Sequence, residues 1–302
     1  MDLPADDPIQ AQPSYAAALA AFEALPPVRI LFDNGAGSTP FSPVPSFERS
    51  FSRFPLPGTA ARSWYLAKGG ALADVKPSAA GTDAFTWSRT ARPPTSFVGD
   101  SGGGTNGLWT ATPSYRWSQN PAGTAASYVT EPLTADTAVV GAGALEAWVK
   151  SAARSVDLQA TITEVRPDGQ ETYVQSGWLR TSVRKLDAKR STLLEPVLSL
   201  RKKDAARLPN GRFAPITVPL YYQGHVYRAG SRVRVSLAAP RGDQPVWAFR
   251  ELQPRSNTKV TVARGASRPS RLVLPVVAGI EAPTPLPPCP SLRGQPCRPY
   301  QP

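Results

Sequence analysis

Histidine is almost absent from this 302-residue chain: His225 is the only one. A single histidine without cysteine or carboxylate neighbours at metal-ligand spacing cannot hold a metal ion. The glycine motifs of Walker phosphate loops and of dinucleotide-binding folds are missing as well. We therefore expect neither a metal nor another cofactor.

Long hydrophobic runs are also missing, and none of the apolar stretches could span a bilayer. The first ten residues, MDLPADDPIQ, are acidic and proline-rich, so they do not form a signal peptide. If the protein is exported, we expect the signal on a longer parent chain. The only two cysteines, Cys289 and Cys297, could close a small disulfide loop, which would imply an oxidising compartment and possible secretion. Two free thiols in a loose tail are the alternative.

Acidic residues are scarce relative to basic ones, with 22 Asp and Glu against 34 Lys and Arg, a net charge of +12. Such a balance favours acidic partners but does not identify one. Eight of the basic residues fall in one segment: Lys185, Lys189, Arg190, Arg201, Lys202, Lys203, Arg207 and Arg212. Three acidic residues interrupt this segment and no aromatic residue does. Because proteins that bind single strands interleave aromatic with basic residues, we expect a solvated loop and no nucleic-acid partner.

The clearest structural signal is a β-hairpin over residues 155–186. Leu158, Ala160 and Ile162 alternate with polar neighbours, which directs one face of the first arm to a core. Asp168 and Gly169 supply the turn, since glycine accepts a positive φ without steric cost. Further apolar runs at 63–66, 71–75, 127–129, 145–149, 216–222 and 233–237 also predict strands. Short strands between Gly and Pro turns favour a sandwich or jelly roll.

Other parts of the chain are not strand-rich. Ser14 and the alanine-rich segment after it predict a helix over 14–25, and a buried strand follows at 28–32. This helix-then-strand order indicates a short α/β portion. We expect residues 79–123 to be loop-dominated, and residues 279–302 to form a Pro-rich tail that builds no core.

Two motifs invite a catalytic interpretation. Residues 99–103 read GDSGG, the sequence around the nucleophile of trypsin-like proteases, but that triad needs its histidine earlier in the chain. The same residues fit the nucleophile elbow G-x-S-x-G, although the glycines after Ser101 cannot begin the helix that an elbow requires. We interpret Ser101 as part of a Gly-rich loop and His225, just after a strand, as a hydrogen-bonded structural residue, a general base being the alternative.

An ordered series of segments resembles the serine hydrolases of the X-Pro dipeptidyl-peptidase and cocaine-esterase type, which include bacterial acyl esterases. The similar segments are 28–37 (VRILFDNGAG), 54–58 (FPLPG), 63–66 (SWYL), 69–72 (GGAL), 92–95 (RPPT), 128–133 (YVTEPL), 140–141 (VG), 156–158 (VDL), 165–169 (VRPDG), 177–180 (GWLR) and 224–228 (GHVYR). They cover roughly residues 28–277. Such enzymes join an α/β-hydrolase domain to a C-terminal jelly roll of galactose-binding-like fold.

The resemblance implies a mostly β fold, a jelly-roll sandwich preceded by a short α/β remnant of a hydrolase domain. We expect residues 1–40 to be the end of that hydrolase domain, 41–278 the jelly roll and 279–302 the tail. In such enzymes the catalytic residues lie before the jelly roll, and nothing in this chain matches the nucleophile elbow or the catalytic-histidine region. We therefore assign no catalytic residue, and whether the chain by itself is an enzyme stays open.

The resemblance also implies a partner, an upstream α/β-hydrolase domain or another subunit, and an ester or peptide substrate. The jelly roll would pack on the catalytic domain and help shape its pocket. We expect the aromatic residues Trp87, Phe97, Trp109 and Trp117 of the loop 85–117 to make that contact. The alternatives are a jelly-roll module that binds carbohydrate or a surface polymer without catalysis, and a polyanion binder suggested only by the net charge.

Overall fold

The structure, a computed structural model, describes residues 9–32, 45–93, 117–243, 253–290 and 296–302. Two antiparallel β-sheets pack face to face around the main hydrophobic core. Leu158 and Ile162 of the smaller sheet meet Leu272 and Leu274 of the larger sheet there, beside the fully buried Trp87. The prediction of a mostly β sandwich is confirmed.

The smaller sheet is built on the predicted hairpin. Strand β9 (Asp157–Val165) turns through Gly169, whose φ is 78°, into β10 (Gln170–Arg180). Every pair of neighbouring strands described in the two sheets is antiparallel. The strands beside this hairpin are β6 (Ala125–Val129), β13 (Arg232–Ala238) and β16 (Cys297–Pro299), in the order β16-β10-β9-β13-β6. The core face expected for the first arm is confirmed, since Leu158, Ala160 and Ile162 lie in the core. The polar face of β9 is buried as well, because other segments cover it.

The larger sheet contains nine of the described strands. Its central path runs β12-β7-β15-β8-β14-β5, with β11 on β8, β3 on β15 and β4 on β3. The bounds are β3 (Thr59–Leu66), β4 (Leu72–Ala73), β5 (Gly81–Trp87), β7 (Thr137–Gly141), β8 (Ala144–Ser151), β11 (Ala214–Pro219), β12 (Gln223–Tyr227), β14 (Thr258–Arg264) and β15 (Arg271–Val277). The strands predicted near 63–66, 71–75, 145–149 and 216–222 are confirmed.

The N-terminal helix and strand also form. Helix α1 (Tyr15–Glu23) begins at Ser14, whose hydroxyl oxygen accepts a hydrogen bond from the Ala17 N–H at 3.3 Å. Strand β1 (Val28–Phe32) pairs with β2 (Phe47–Phe51) as a ribbon on the outside of the larger sheet, where Phe32 and Phe47 stack. The strand is only partly buried, contrary to expectation, because alternate residues of β1 face solvent. The ribbon crosses the boundary expected at residue 40.

Three further expectations need correction. Strand β5 lies inside the segment expected to be loop; the Phe85 and Trp87 side chains, two residues apart, both point into the core. His225 lies within β12 rather than after a strand. The tail is partly ordered: Cys289 and Cys297 form a disulfide, and β16 then adds to the edge of β10. Among the described residues, no helix is long and apolar enough to cross a membrane.

Candidate functional site

The side chains of β9 that point away from the sandwich core are polar and yet buried. Gln159, Thr161 and Thr163 are each at most 6% exposed. A buried polar group without a hydrogen-bond partner costs about 1–3 kcal/mol, so such a strand needs polar groups lying over it. Those groups come from chain segments that cross the outer face of the smaller sheet.

Five residues form the centre of this arrangement, and we call them the loop-base cluster: Arg92, Trp117, Gln159, Thr161 and Asp243. The Asp243 carboxylate accepts hydrogen bonds from Arg92 Nη1 at 2.7 Å, from the Trp117 indole N–H at 2.8 Å and from the Thr161 hydroxyl at 2.6 Å. Gln159 Nε2 donates to the same carboxylate. Burial alone would raise the pKa of Asp243, but Arg92 and the hydrogen bonds outweigh it and lower the pKa. Asp243 is therefore an ionised, fully bonded anion inside the protein.

Two more buried carboxylates extend the network. Asp157 accepts hydrogen bonds from Arg180 Nε at 2.7 Å and from the Gln253 N–H at 2.8 Å. Glu171 accepts hydrogen bonds from Arg234 Nη1 at 2.7 Å and Arg298 Nε at 2.8 Å. Burial acts to raise the pKa of Glu171, yet these arginines lower it overall.

The tail contributes directly to the loop-base cluster. The Arg298 guanidinium carbon lies 3.6 Å from the centre of the Trp117 ring, and Arg298 Nη1 donates to the Ser118 carbonyl at 2.7 Å. A guanidinium on an indole face is a favourable cation–π contact. Strand β16, which the disulfide tethers, thus packs on Trp117, the residue whose indole N–H binds Asp243.

The positions of these residues in the chain indicate what the network does. Segment 94–116 lies between Arg92 and Trp117, two residues that the structure describes. Segment 244–252 lies directly between Asp243 and Gln253. All four are bonded to side chains of β9 or to one another. Within the loop-base cluster the acid, Asp243, is already saturated with donors, and the hydroxyl beside it, that of Thr161, is buried. The arrangement therefore fixes the described residues that flank the two segments.

His225 belongs to a separate buried group. Its Nε2 lies 2.8 Å from Glu164 Oε2, and the Ser231 hydroxyl donates to the other oxygen of Glu164 at 2.6 Å. The ring of Tyr227 contacts the imidazole edge to face. Histidine, acid and serine are thus close, but the serine donates to the acid rather than to the imidazole, and all three are almost fully buried. The expected hydrogen bonding of His225 is confirmed, in a place that a substrate does not reach.

The other residues singled out from the sequence fall into two groups. Ser101 and the whole GDSGG motif, together with Phe97 and Trp109, lie outside the described residues. Trp87 and Trp117 were expected to contact another domain, and that expectation is wrong: they are 0% and 7% exposed. Trp87 packs in the sandwich core and Trp117 binds Asp243, so this chain itself covers both rings.

The basic segment lies in the long connection between β10 and β11. Its side chains are mostly exposed, and Lys185 and Arg201 pair with Asp204 at 2.6 and 2.9 Å. The prediction of a solvated loop is confirmed. Within the described residues, no group of three or more His, Cys, Asp or Glu side chains is placed to hold a metal ion.

The sequence did not lead to Asp243 or Glu171, and it gave Arg92 only as part of the similar segment 92–95. A usable signal was present, because the outer positions of β9 read Gln, Thr, Thr instead of Lys, Glu or Arg. Uncharged hydrogen-bonding residues at alternate positions suit a polar face that is covered by other parts of the chain.

Comparisons with known proteins fit this architecture. In solved structures the chain is similar to a CocE/NonD family hydrolase from Staphylococcus aureus, at 20% identity and a TM-score of 0.55 over 76% of this chain and 39% of that one. An aminopeptidase from a marine sediment Thaumarchaeota archaeon matches at 16% identity and a TM-score of 0.53, over 77% and 39% of the two chains. An α-amino acid ester hydrolase matches at 20% identity and 0.51, over 72% and 36%.

At these identities the likeness shows a shared fold. The chain spans about 39% of the length of the first structures that it matches. No curated protein matches it. A family model described as the X-Pro dipeptidyl-peptidase C-terminal non-catalytic domain matches residues 20–273, well over half of the chain. The chain therefore belongs to the family of X-Pro dipeptidyl-peptidase C-terminal non-catalytic domains.

Proposed function

We propose that this chain is the accessory β-sandwich of a serine hydrolase of the acyl-esterase or X-Pro dipeptidyl-peptidase type. It packs on an upstream α/β-hydrolase domain, in the same polypeptide or in another subunit, and forms one side of the substrate pocket. The substrate class is an ester or a peptide, in line with the ester hydrolase and the aminopeptidase among the similar structures. Chemistry resides in the upstream domain.

The observation that carries this proposal is helix α1. Eight of its nine residues are apolar or aromatic, and none is buried against the described part of the chain. Tyr15 is 81% exposed and Phe22 is 59% exposed. A helix of nine residues is marginal alone, and one that is apolar all round is normally buried. Its natural cover is a surface that the described part of this chain does not supply.

The expected domain division remains part of the proposal. The exposed helix supports placing residues 1–40 at the end of a hydrolase domain, whereas β1 packs on the sandwich. For the pocket we retain Phe97 and Trp109 as the contacting aromatic residues. They belong to segment 94–116, whose flanking residues Arg92 and Trp117 are fixed on Asp243.

The proposal is tested by hydrolysis of an activated aryl ester and labelling with a serine-directed fluorophosphonate. We expect neither from the 302-residue chain alone, and both when it is joined to the hydrolase domain. Leu19→Asp with Phe22→Asp should weaken the joined enzyme, because two charges on α1 oppose burial. Val75→Asp, at an apolar residue 78% exposed outside the helix, is the matched control. Turnover by the chain alone that is lost in Ser101→Ala would overturn the proposal.

The alternative function, a carbohydrate-binding module, has one supporting observation. Tyr221 and Tyr222 are 52% and 55% exposed, and sugar rings stack on such side chains. A glycan array probed with the 302-residue chain tests it, and binding that is lost in Tyr221→Ala would favour this function.

A further inference from the structure

An apolar groove opens on the molecule at the junction of the two sheets. It measures about 430 Å³, and we call it the Trp178–Tyr222 groove after two of its lining residues. Leu200, Tyr221 and Tyr222 line it and are 69%, 52% and 55% exposed. A smaller depression of about 380 Å³ continues on the other side of Trp178 and Leu200. So much exposed apolar surface in one place is typical of a binding surface.

The groove is held in shape by contacts within this chain. The Tyr222 hydroxyl donates to Glu195, and the Trp178 indole N–H donates to Gln159 at 3.0 Å. The Trp178 and Tyr221 rings meet edge to face with centroids 5.2 Å apart. Because these polar edges are bonded internally, the rings offer mainly apolar surface outward. A sugar needs hydrogen-bonding groups around its hydroxyls, whereas an apolar protein surface does not, so these contacts favour a protein partner.

The groove is linked to the ribbon that carries α1. Val28, at the start of β1, pairs with Phe51, the last residue of β2. Phe54 follows three residues later, and its ring centroid lies 6.0 Å from that of Tyr222. Helix α1 ends five residues before Val28, a span of at most about 18 Å of chain. The end of the ribbon where α1 joins is thus the end that reaches the groove.

The chain segment that lines the groove contains more basic than acidic residues. Arg190 lines the groove, and Lys189, Lys202 and Lys203 are exposed near Arg190 or Leu200 in the chain. Glu195, an acidic residue that lines the groove, already accepts a hydrogen bond from the Tyr222 hydroxyl. Complementary charge on a partner favours its association, so this surface suits a partner with acidic residues around an apolar contact.

We infer that the Trp178–Tyr222 groove is the second docking surface of this chain for the upstream catalytic domain, and that it receives an apolar segment flanked by acidic residues. The inference rests on the proposed function and adds to it a defined surface separate from α1. Helix α1 and the groove together would hold the catalytic domain at two points, which fixes its orientation on the sandwich.

The experiment is hydrogen–deuterium exchange on the 302-residue chain alone and on the same residues in the polypeptide that includes the catalytic domain. We expect slower exchange in the joined protein at residues 197–201 and 219–224, as well as at 15–23. Leu200→Asp should raise exchange at the groove about tenfold in the joined protein, since it puts a charge into an apolar contact. It should leave the unfolding of the isolated chain unchanged, because Leu200 is exposed and its φ of 53° suits Asp better than Leu.

The matched control is Val75→Asp, which should leave exchange at the groove unaltered. Protection of 15–23 without protection of the groove would overturn the inference and leave the proposed function standing. Protection of neither would remove both. If protection of the groove in the chain alone depends on concentration, the groove binds a second copy of the chain. If glycan binding is lost in Tyr221→Ala and the groove is not protected in the joined protein, the groove binds sugar. Either result overturns the inference.

Discussion

At the scale of single residues, Asp243 bears the largest share of the polar contacts on the outer face of the smaller sheet. It joins Arg92, which lies 151 residues earlier in the chain, to two side chains of β9. Both partners of the Arg92–Asp243 ion pair are almost fully buried, with side chains 3% and 1% exposed. Removing one partner of such a pair leaves a buried charge without compensation.

We therefore predict that Asp243→Ala lowers the free energy of unfolding by about 3–5 kcal/mol, the usual result of breaking a buried ion pair. Urea unfolding of the chain measures it. The control is Asp74→Ala, which breaks the exposed pair between Arg62 and Asp74 and should cost about 0–1 kcal/mol. Equal losses in the two variants would show that Asp243 is not the centre of the network.

A second prediction concerns Glu164. Burial acts to raise its pKa, but the hydrogen bonds from His225 and Ser231 lower it below the ordinary value of 4.5. As the pH falls below about 4.5, the Glu164 carboxylate takes up a proton in the unfolded chain before it does so in the folded chain. The contribution of ionised Glu164 to the free energy of unfolding is thus fully present above that pH. It is lost as the pH falls toward the lowered pKa of the folded state. Glu171 and Asp243, whose pKa values are also lowered, act in the same direction.

Urea unfolding between pH 7 and pH 3 measures this dependence. Glu164→Gln should flatten the acid limb by up to about 1.4 kcal/mol per pH unit, since it removes one titrating group. Glu131→Gln changes an exposed carboxylate and should leave the limb as it is. An unchanged acid limb in Glu164→Gln would mean that folding does not lower the pKa of Glu164.

At the scale of elements, the tail is a segment whose structure depends on a distant strand of the same chain, β10. Residues 297–299 become a strand because the edge of β10 offers unpaired backbone groups and the disulfide keeps the segment close. Arg298 then reaches Glu171 and the Trp117 ring. A composition rich in proline predicts none of this, because the partner strand lies more than a hundred residues earlier in the chain.

We predict that replacing Cys289 and Cys297 by serine lowers the free energy of unfolding by about 2–3 kcal/mol, the value expected for a short cross-linked loop. Arg298→Ala, which keeps the disulfide, should cost about 1–3 kcal/mol through Glu171. Arg53→Ala, at an exposed position, is the control for loss of a positive charge. Urea unfolding measures each variant. If both tail variants match the control, the tail contributes nothing to stability.

The elements that the sequence predicted correctly are those marked by local patterns. The β9–β10 hairpin was predictable because alternation and an Asp-Gly turn are both contained in about thirty residues. Helix α1 was predictable from Ser14 and alanine. Strand β5 was missed because Gly81, Thr82 and Asp83 hide the alternation that Phe85 and Trp87 complete, and because its partner β14 lies far along the chain.

At the scale of the whole molecule, the core between the two sheets is well buried, whereas parts of the described surface are apolar. The core between the sheets encloses Trp64, Trp87 and Tyr227 with at most 1% exposure. By contrast, α1 and the Trp178–Tyr222 groove leave apolar side chains in solvent. A folded core beside uncovered apolar surface fits a domain that is stable through its own contacts and functions against another.

The sequence by itself determined the fold class, the hairpin at the centre of the smaller sheet and the family resemblance, because alternation, turn residues and short motifs are local properties of a chain. Only the tertiary structure decided which polar residues meet. Arg92, Gln159 and Asp243 form one cluster, and Trp117 turns inward, because the sheets and the tail bring distant segments together. The apolar side chains that stay exposed, on α1 and at Tyr221 and Tyr222, were likewise identified only after the chain's own contacts were known.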